Sequence, residues 1–197
     1  MPRITAQPGN EVEGGGTATK APAPAKQPRT KAKRNEKAAL AMFEALANRD
    51  LEALAGFWDD DTVEDIVPVG IYRGQAEIRE FFSQFLAAFP DLEVTVDRVV
   101  ADAGTAAVQW RITGTFEGGP FLDIEPNGNL IEMRGCDMME IEDGRLRRNT
   151  VFYDGAGFAR AIGLLPPRES GAERAMVSTF NAVTKVRSAV RERRARR

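Results

Sequence analysis

Beyond Glu36 the apolar residues of this chain keep two periods in succession, that of helices and then that of strands. Leu40, Phe43, Leu46 and Ala47 recur at helical spacing up to Asn48, and Asp50 then stands as the cap of a short second helix over Leu51 to Trp58. Asp61 to Val67 alternates as a short strand. Gly74 precedes a longer helix, Gln75 to Phe89, whose Ile78, Phe81, Phe82, Phe85, Leu86 and Phe89 form a wide apolar stripe ended by Pro90. After Pro90 the period becomes two over Leu92 to Val100, Ala106 to Phe116, Asn129 to Glu142 and Arg145 to Tyr153. Turn chemistry marks Ala103-Gly104, Asn127-Gly128 and Asp143-Gly144. Three helices followed by a meander of long antiparallel strands predict an α+β domain whose sheet curls around the helices.

The ends read differently. Pro2 to Arg34 is rich in Gly, Pro, Ala, Thr and Lys and has almost no large apolar residue to offset chain entropy, so it is expected to be disordered. Gly155 to Leu165 reads as a short helical end stopped by Pro166-Pro167. Beyond it Val177, Phe180, Val183, Val186 and Val190 run at spacings of three and four among Arg187, Arg191, Arg193 and Arg194, an amphipathic helix. Such a helix serves for docking or dimerisation, or as a membrane-surface or nucleic-acid arm. The expected organisation is a basic tail over 1–35, a domain over 36–167 and a basic extension over 168–197.

One position breaks the strand pattern. Ile131, Met133, Gly135, Asp137, Met139 and Ile141 share a face, so Asp137 is a carboxylate aimed into an apolar interior. A carboxyl group stripped of its hydration must be paired, protonated or in use. Asp137 is therefore a candidate for chemistry, its structural alternative being satisfaction by an arginine or by backbone amides.

Composition narrows that chemistry. The 197 residues are 43% hydrophobic and 28% charged, enough for one core of ordinary size. The chain has no histidine, which excludes histidine-bearing triads and metal sites and leaves carboxylates, helped by Tyr, Arg or Asn, to carry any catalysis. No metal and no cofactor is expected, and no phosphate-binding glycine motif occurs. A single cysteine, Cys136, and an N-terminal stretch without the apolar run of a secretory signal point to a reducing, cytoplasmic setting, and no stretch is apolar enough to be transmembrane. The net charge of -2 conceals a segregation: residues 1–37 hold eight basic and three acidic residues, 168–197 nine and three, and the body between them ten and 23. The tails are thus suited to a polyanion, a membrane surface or an acidic partner.

Helices first and a curved antiparallel sheet afterwards resemble the nuclear-transport-factor-2-like superfamily. FWDDDTVEDIVPVGIYRGQAEIREFF, Phe57 to Phe82, resembles the opening of ketosteroid isomerases, with Asp65 on their proton-abstracting aspartate. GCDMMEIEDGRL, Gly135 to Leu146, resembles the segment bearing their protonated aspartate, on which Asp137 falls. AAFPDLEV at Ala87 to Val94 and YDGAGFARAIGLLP at Tyr153 to Pro166 are similar to SnoaL-like polyketide cyclases, which carry a catalytic aspartate matching Asp154. The resemblance spans roughly Glu36 to Pro166 and implies a cone-shaped sheet around the helices, a homodimer and a hydrophobic small-molecule ligand. Two departures stand out: the isomerases' tyrosine on the first helix is replaced by Met42 or Phe43, and the histidine frequent in cyclases is absent from Gly114-Thr115-Phe116.

Two assignments follow from the resemblance, both requiring a base near the carbon acid and a donor near the developing enolate oxygen. In the isomerase-like one Asp65 is the base and Asp137 the oxyanion donor, a division of labour for which ketosteroid isomerase is itself the standard worked case. In the cyclase-like one, favoured by the missing helix-one tyrosine, Asp154 is the general acid/base and Asp137 supports the enolate of an aldol closure. The structural alternatives are a pairing of Asp65 with Arg73 or Arg79 and a helix-capping role for Asp154. Trp58, Trp110, Phe116 and Phe152 are candidates to line an apolar cavity, Asn149 and Tyr153 share a strand face and offer hydrogen bonds, and Arg111 and Arg148 are possible carboxylate partners. The competing functional class is a non-catalytic ligand-binding or interaction domain of the same fold.

Overall fold

A computed structural model describes residues 29–142 and 144–195. Five helices and six strands follow in the order α1 (Arg29–Ala47), α2 (Leu51–Ala55), β1 (Val63–Ile66), β2 (Gly70–Arg73), α3 (Gly74–Ala88), β3 (Glu93–Ala101), β4 (Thr105–Thr115), β5 (Leu130–Glu142), β6 (Arg145–Tyr153), α4 (Gly155–Ala161) and α5 (Gly171–Ala195). The strands form one sheet in the order β2-β1-β6-β5-β4-β3. All its neighbours are antiparallel except β1 and β6, which run parallel with Glu64 opposite Asn149. The long strands β3 to β6 form the predicted meander. Extra residues at Asp97 of β3 and at Arg147 of β6, the latter facing the Glu140–Ile141 step of β5, shift the register, and such bulges bend and twist strands.

The helices cover the apolar face of this sheet. Phe82, Phe85, Leu86 and Phe89 of the predicted stripe are buried, joined by Met42, Phe43 and Leu46 of α1, and Phe121 and Phe158 close the core from the loop and from α4. Local chemistry fixes the boundaries. Asp50 caps α2 by accepting from the Ala53 amide at 2.9 Å. Gly74 takes a φ of +72° where β2 gives way to α3, a conformation costly for a residue with a Cβ. Arg49 donates to the carbonyls of Leu86 and Phe89, both at 2.6 Å, satisfying the end of α3.

Two expectations are revised. The hairpin β1–β2 separates α2 from α3, so the helices do not precede the sheet as a block, and β2 was not anticipated because Gly70-Ile71-Tyr72-Arg73 is too short to show a period. Helix α1 begins at Arg29, taking in residues assigned to the disordered tail, whose Lys and Ala content is compatible with helix. The rest of that tail lies outside the described residues. The C-terminal amphipathic helix is present as α5, with Met176, Val177, Phe180, Val183 and Val186 exposed. No described helix is long and apolar enough to cross a membrane.

Candidate active site

Asp137 lies inward on the middle of β5, as the alternation predicted, and is 5% exposed. Its direct cross-strand neighbours are Val108 on β4 and Val151 on β6. Trp110 and Asn149 stand two residues from these on the same face, the diagonal positions that long side chains span. Trp110 Nε1 donates to Asp137 Oδ1 at 2.7 Å, and Asn149 Nδ2 donates to Oδ2 at 2.7 Å. Burial pushes the Asp137 carboxyl up to about 6, against the opposing pull of the Asn149 and Trp110 hydrogen bonds. No cation is among these contacts, so two neutral donors are what the carboxylate has in place of water.

Asp137 opens onto a cavity of about 80 Å³. That exceeds the roughly 10–15 Å³ needed for one water. The helical wall comes from Met42, Phe43 and Phe85, and the sheet wall includes Ile112, Met133 and Tyr153. Asp137 and Tyr153 are the titratable groups among the lining residues. Burial, helped by nearby Tyr72, pushes the Tyr153 phenol up to about 12, so it remains a neutral hydroxyl at ordinary pH.

Gly135 makes this arrangement possible. It lies opposite both Trp110 and Tyr153, and a Cβ built on it would stand 2.5 Å from Trp110 Cζ2 and 2.4 Å from the Phe152 carbonyl oxygen. Gly135→Ala should therefore cost about 1–3 kcal/mol, as overpacking does, and tilt the Trp110 indole away from Asp137. Urea titration followed by tryptophan fluorescence checks both effects, and an unchanged midpoint with an unchanged spectrum would refute the crowding.

Behind the cavity wall lies Glu64 of β1, 0% exposed. Neither of its carboxyl oxygens has a hydrogen-bond partner, and Trp58 Nε1 and Asn149 Oδ1 are likewise buried without one. Desolvation raises the Glu64 carboxyl well above the usual range, the nearby Asp137 charge adds to the rise, and the close approach of the Asn149 and Trp58 polar groups opposes it.

The family model of SnoaL-like polyketide cyclases matches residues 36–162. The chain belongs to this family. No curated protein matches its sequence closely. Solved structures of similar shape include a candidate SnoaL-like polyketide cyclase from Jannaschia sp. CCS1, 22% identical with a TM-score of 0.63, covering 73% of this chain and 100% of that one. AclR, a candidate hydroxylase from Streptomyces galilaeus, is 22% identical with a TM-score of 0.59 and covers 68% and 98%. An LEH-like epoxide hydrolase from M. tuberculosis is 18% identical with a TM-score of 0.54 and covers 67% and 94%. At these identities the likeness establishes the fold of the SnoaL-like domain, and the different descriptions fit one scaffold hosting several chemistries.

Within the SnoaL-like domain the three aspartates singled out from sequence do not converge. Asp65 points away from the cavity and is paired with Arg148, not with Arg73 or Arg79. Its outward direction reflects the phase of β1, in which Thr62, Glu64 and Ile66 are buried. Asp154 is exposed and caps α4, accepting from the Gly157 amide at 2.9 Å. Arg111 is engaged with Asp97. Of the expected lining residues, Trp110 and Tyr153 reach the cavity. Trp58 is packed on Phe82 with ring centroids 5.1 Å apart, and Phe116 on Phe89 at 5.4 Å, both in the solid core. Phe152 faces outward, and Asn149 holds Asp137 from behind. Glu64 escaped notice because Asp65 stands between the apolar Val63 and Val67, whereas Glu64 shares its face with the polar Thr62 as well as with Ile66.

Proposed function

We propose that this SnoaL-like domain is a small-molecule enzyme acting on a carbon acid next to a carbonyl, in a polyketide-type aldol cyclisation or a ketosteroid-type isomerisation, with Asp137 as its general acid/base. The observation that carries this reading is Asp137 itself, a carboxylate set in an apolar cavity wall with a raised affinity for protons. A base whose conjugate acid titrates near neutrality is well matched to both taking and returning a proton. The role assigned from sequence to Asp154 passes to Asp137, since Asp154 is exposed and committed to its helix.

The hydrogen bonds dictate the direction of proton transfer. Trp110 Nε1 and Asn149 Nδ2 both donate to the carboxylate, so a proton taken up by Asp137 has no acceptor on that side and points into the cavity. In the forward step the C–H electrons move onto the carbonyl as an enolate while Asp137 receives the proton. Tyr153 is the candidate hydroxyl donor to the enolate oxygen, in place of the absent tyrosine on the first helix, where Met42 and Phe43 now line the cavity. In a cyclisation the enolate carbon then bonds to a second carbonyl carbon, whose oxygen takes the proton back. In an isomerisation Asp137 returns the proton to another carbon.

Tyr153→Phe keeps the cavity wall and removes the donor, so turnover should fall about 100-fold with folding unchanged. Comparison of kcat for the two forms measures this, and an unaltered rate would take Tyr153 out of the mechanism. The reading as a whole is tested by incubating the protein in D2O with a panel of polycyclic β-keto esters and ketosteroids. Deuterium entering the carbon next to the carbonyl, dependent on Asp137, supports an enzyme. Binding without exchange supports the second reading, an inert ligand-binding domain, which the dispersal of the three aspartates favours.

A further inference from the structure

We propose that Glu64 is a positioning residue: as a neutral acid it donates to Oδ1 of Asn149 and so fixes the Asn149 amide with its NH2 group toward Asp137. This inference rests on the reading of Asp137 as the acid/base and identifies what sets its charge state.

Four buried polar atoms lie without partners in one place: Glu64 Oε1, Glu64 Oε2, Trp58 Nε1 and Asn149 Oδ1. Buried polar groups left unpaired cost about 1–3 kcal/mol each, so a cluster of them implies hydrogen bonds completed by a proton and small side-chain rotations. An ionised Glu64 has only acceptors and cannot satisfy Asn149 Oδ1. A protonated Glu64 can, while its other oxygen accepts from Trp58 Nε1. The backbone supports the pairing, because Glu64 and Asn149 are direct neighbours across the parallel β1–β6 ladder. The result is one polar line, Trp58 to Glu64 to Asn149 to Asp137 to Trp110, crossing the sheet from the core to the cavity.

Among the described residues, the arginines of β6 nearest Glu64 are committed to other carboxylates. On β6, Arg148 is paired with Asp65 and Arg147 with Asp59 and Glu142. The charge facing Glu64 from β5 is that of Asp137, a like charge that keeps Glu64 protonated while Asp137 is ionised. The alternative arrangement is the mirror image, with Glu64 ionised, the Asn149 amide flipped and Asp137 protonated. Because Glu64 is sealed from solvent and Asp137 borders a cavity, the proton resides on Glu64.

The test needs no substrate, so it can fail while Asp137 still proves catalytic, and the reverse. Carboxyl-13C NMR follows Asp137 through pH in the full chain, in Glu64→Gln and in Glu64→Met. The Gln amide can still donate to Asn149, so the Asp137 midpoint should stay in place. Met cannot donate, which frees Asn149 to flip and accept from Asp137, and the midpoint should rise by about half a pH unit or more. A fall in Glu64→Gln would show that Glu64 had been charged, and no difference between the two variants would show that it is mere filler. Either result overturns the proposal. Should the variants fail to fold, infrared spectra of the unmodified protein decide: with 13C-labelled glutamate, a carbonyl band of a buried protonated glutamic acid persists at neutral pH, and its absence contradicts the inference.

Discussion

Asp137→Asn should lower turnover by about 10³-fold while leaving the domain folded. The magnitude follows from general acid/base catalysis by a positioned carboxyl, which contributes about 10²–10⁴-fold. Asparagine has nearly the same shape and its amide oxygen can still accept from Trp110 or Asn149, so the cavity should survive. Ligand affinity for the same panel of ketones should change little, separating loss of chemistry from loss of binding. Single-turnover rates and circular dichroism measure the two sides of this expectation. Activity within tenfold of the parent would remove Asp137 from the centre of the account.

The same substitution should reverse its effect on stability with pH. An aspartate whose carboxyl is raised in the folded state keeps its proton there after the unfolded chain has lost it. Its contribution to stability is therefore complete below pH 3.8 and is lost as pH rises through about 6. The loss amounts to about 3 kcal/mol, since each pH unit between the two values corresponds to about 1.4 kcal/mol. Asp137→Asn mimics the neutral acid at every pH. Relative to the parent it should be near neutral at pH 4 and progressively stabilised up to pH 7, as read from urea midpoints in a pH series. Glu64, raised well above its ordinary value, extends the decline of both proteins to higher pH. Asp59, Asp91, Asp97 and Asp102 have lowered values, so their stabilisation is present above pH 3.8 and lost as pH falls, a separate window that the comparison cancels. A parent and variant whose midpoints stay parallel from pH 4 to 7 would show that Asp137 is not strained by burial.

Strands β4 and β5 were legible because each sustains a long alternation, and that length let Asp137 appear as a carboxylate on the buried face of β5. Helix α3 was legible for the same reason, its six apolar residues fitting one stripe and Pro90 ending it. Short β1 failed on phase: with four residues, each face presents one carboxylate, and only its parallel pairing with β6 turns Glu64 inward and Asp65 out toward Arg148. Asp154 could be read as a cap or as a catalyst, since Asp-Gly-Ala-Gly suits both, and its side chain lies exposed at the start of α4, accepting from the Gly157 amide. The aromatic residues divided by sheet face: Trp110 and Tyr153 reach the cavity because they flank Gly135, whereas Phe152, one residue earlier, lies outside. What sequence could not supply was lateral proximity. Trp110, Asn149 and Gly135 acquire their roles only from the registers that lay them beside Asp137 and each other.

One carboxyl in an apolar cavity wall, that of Asp137, holds its proton more tightly than an ordinary aspartate. Carboxyl-13C titration of Asp137 in the full chain, with Asp137→Asn supplying the assignment, measures this directly. The account predicts a midpoint near 6. A midpoint near the ordinary 3.8 would mean that water reaches the group freely, and the proposed chemistry would lose its base.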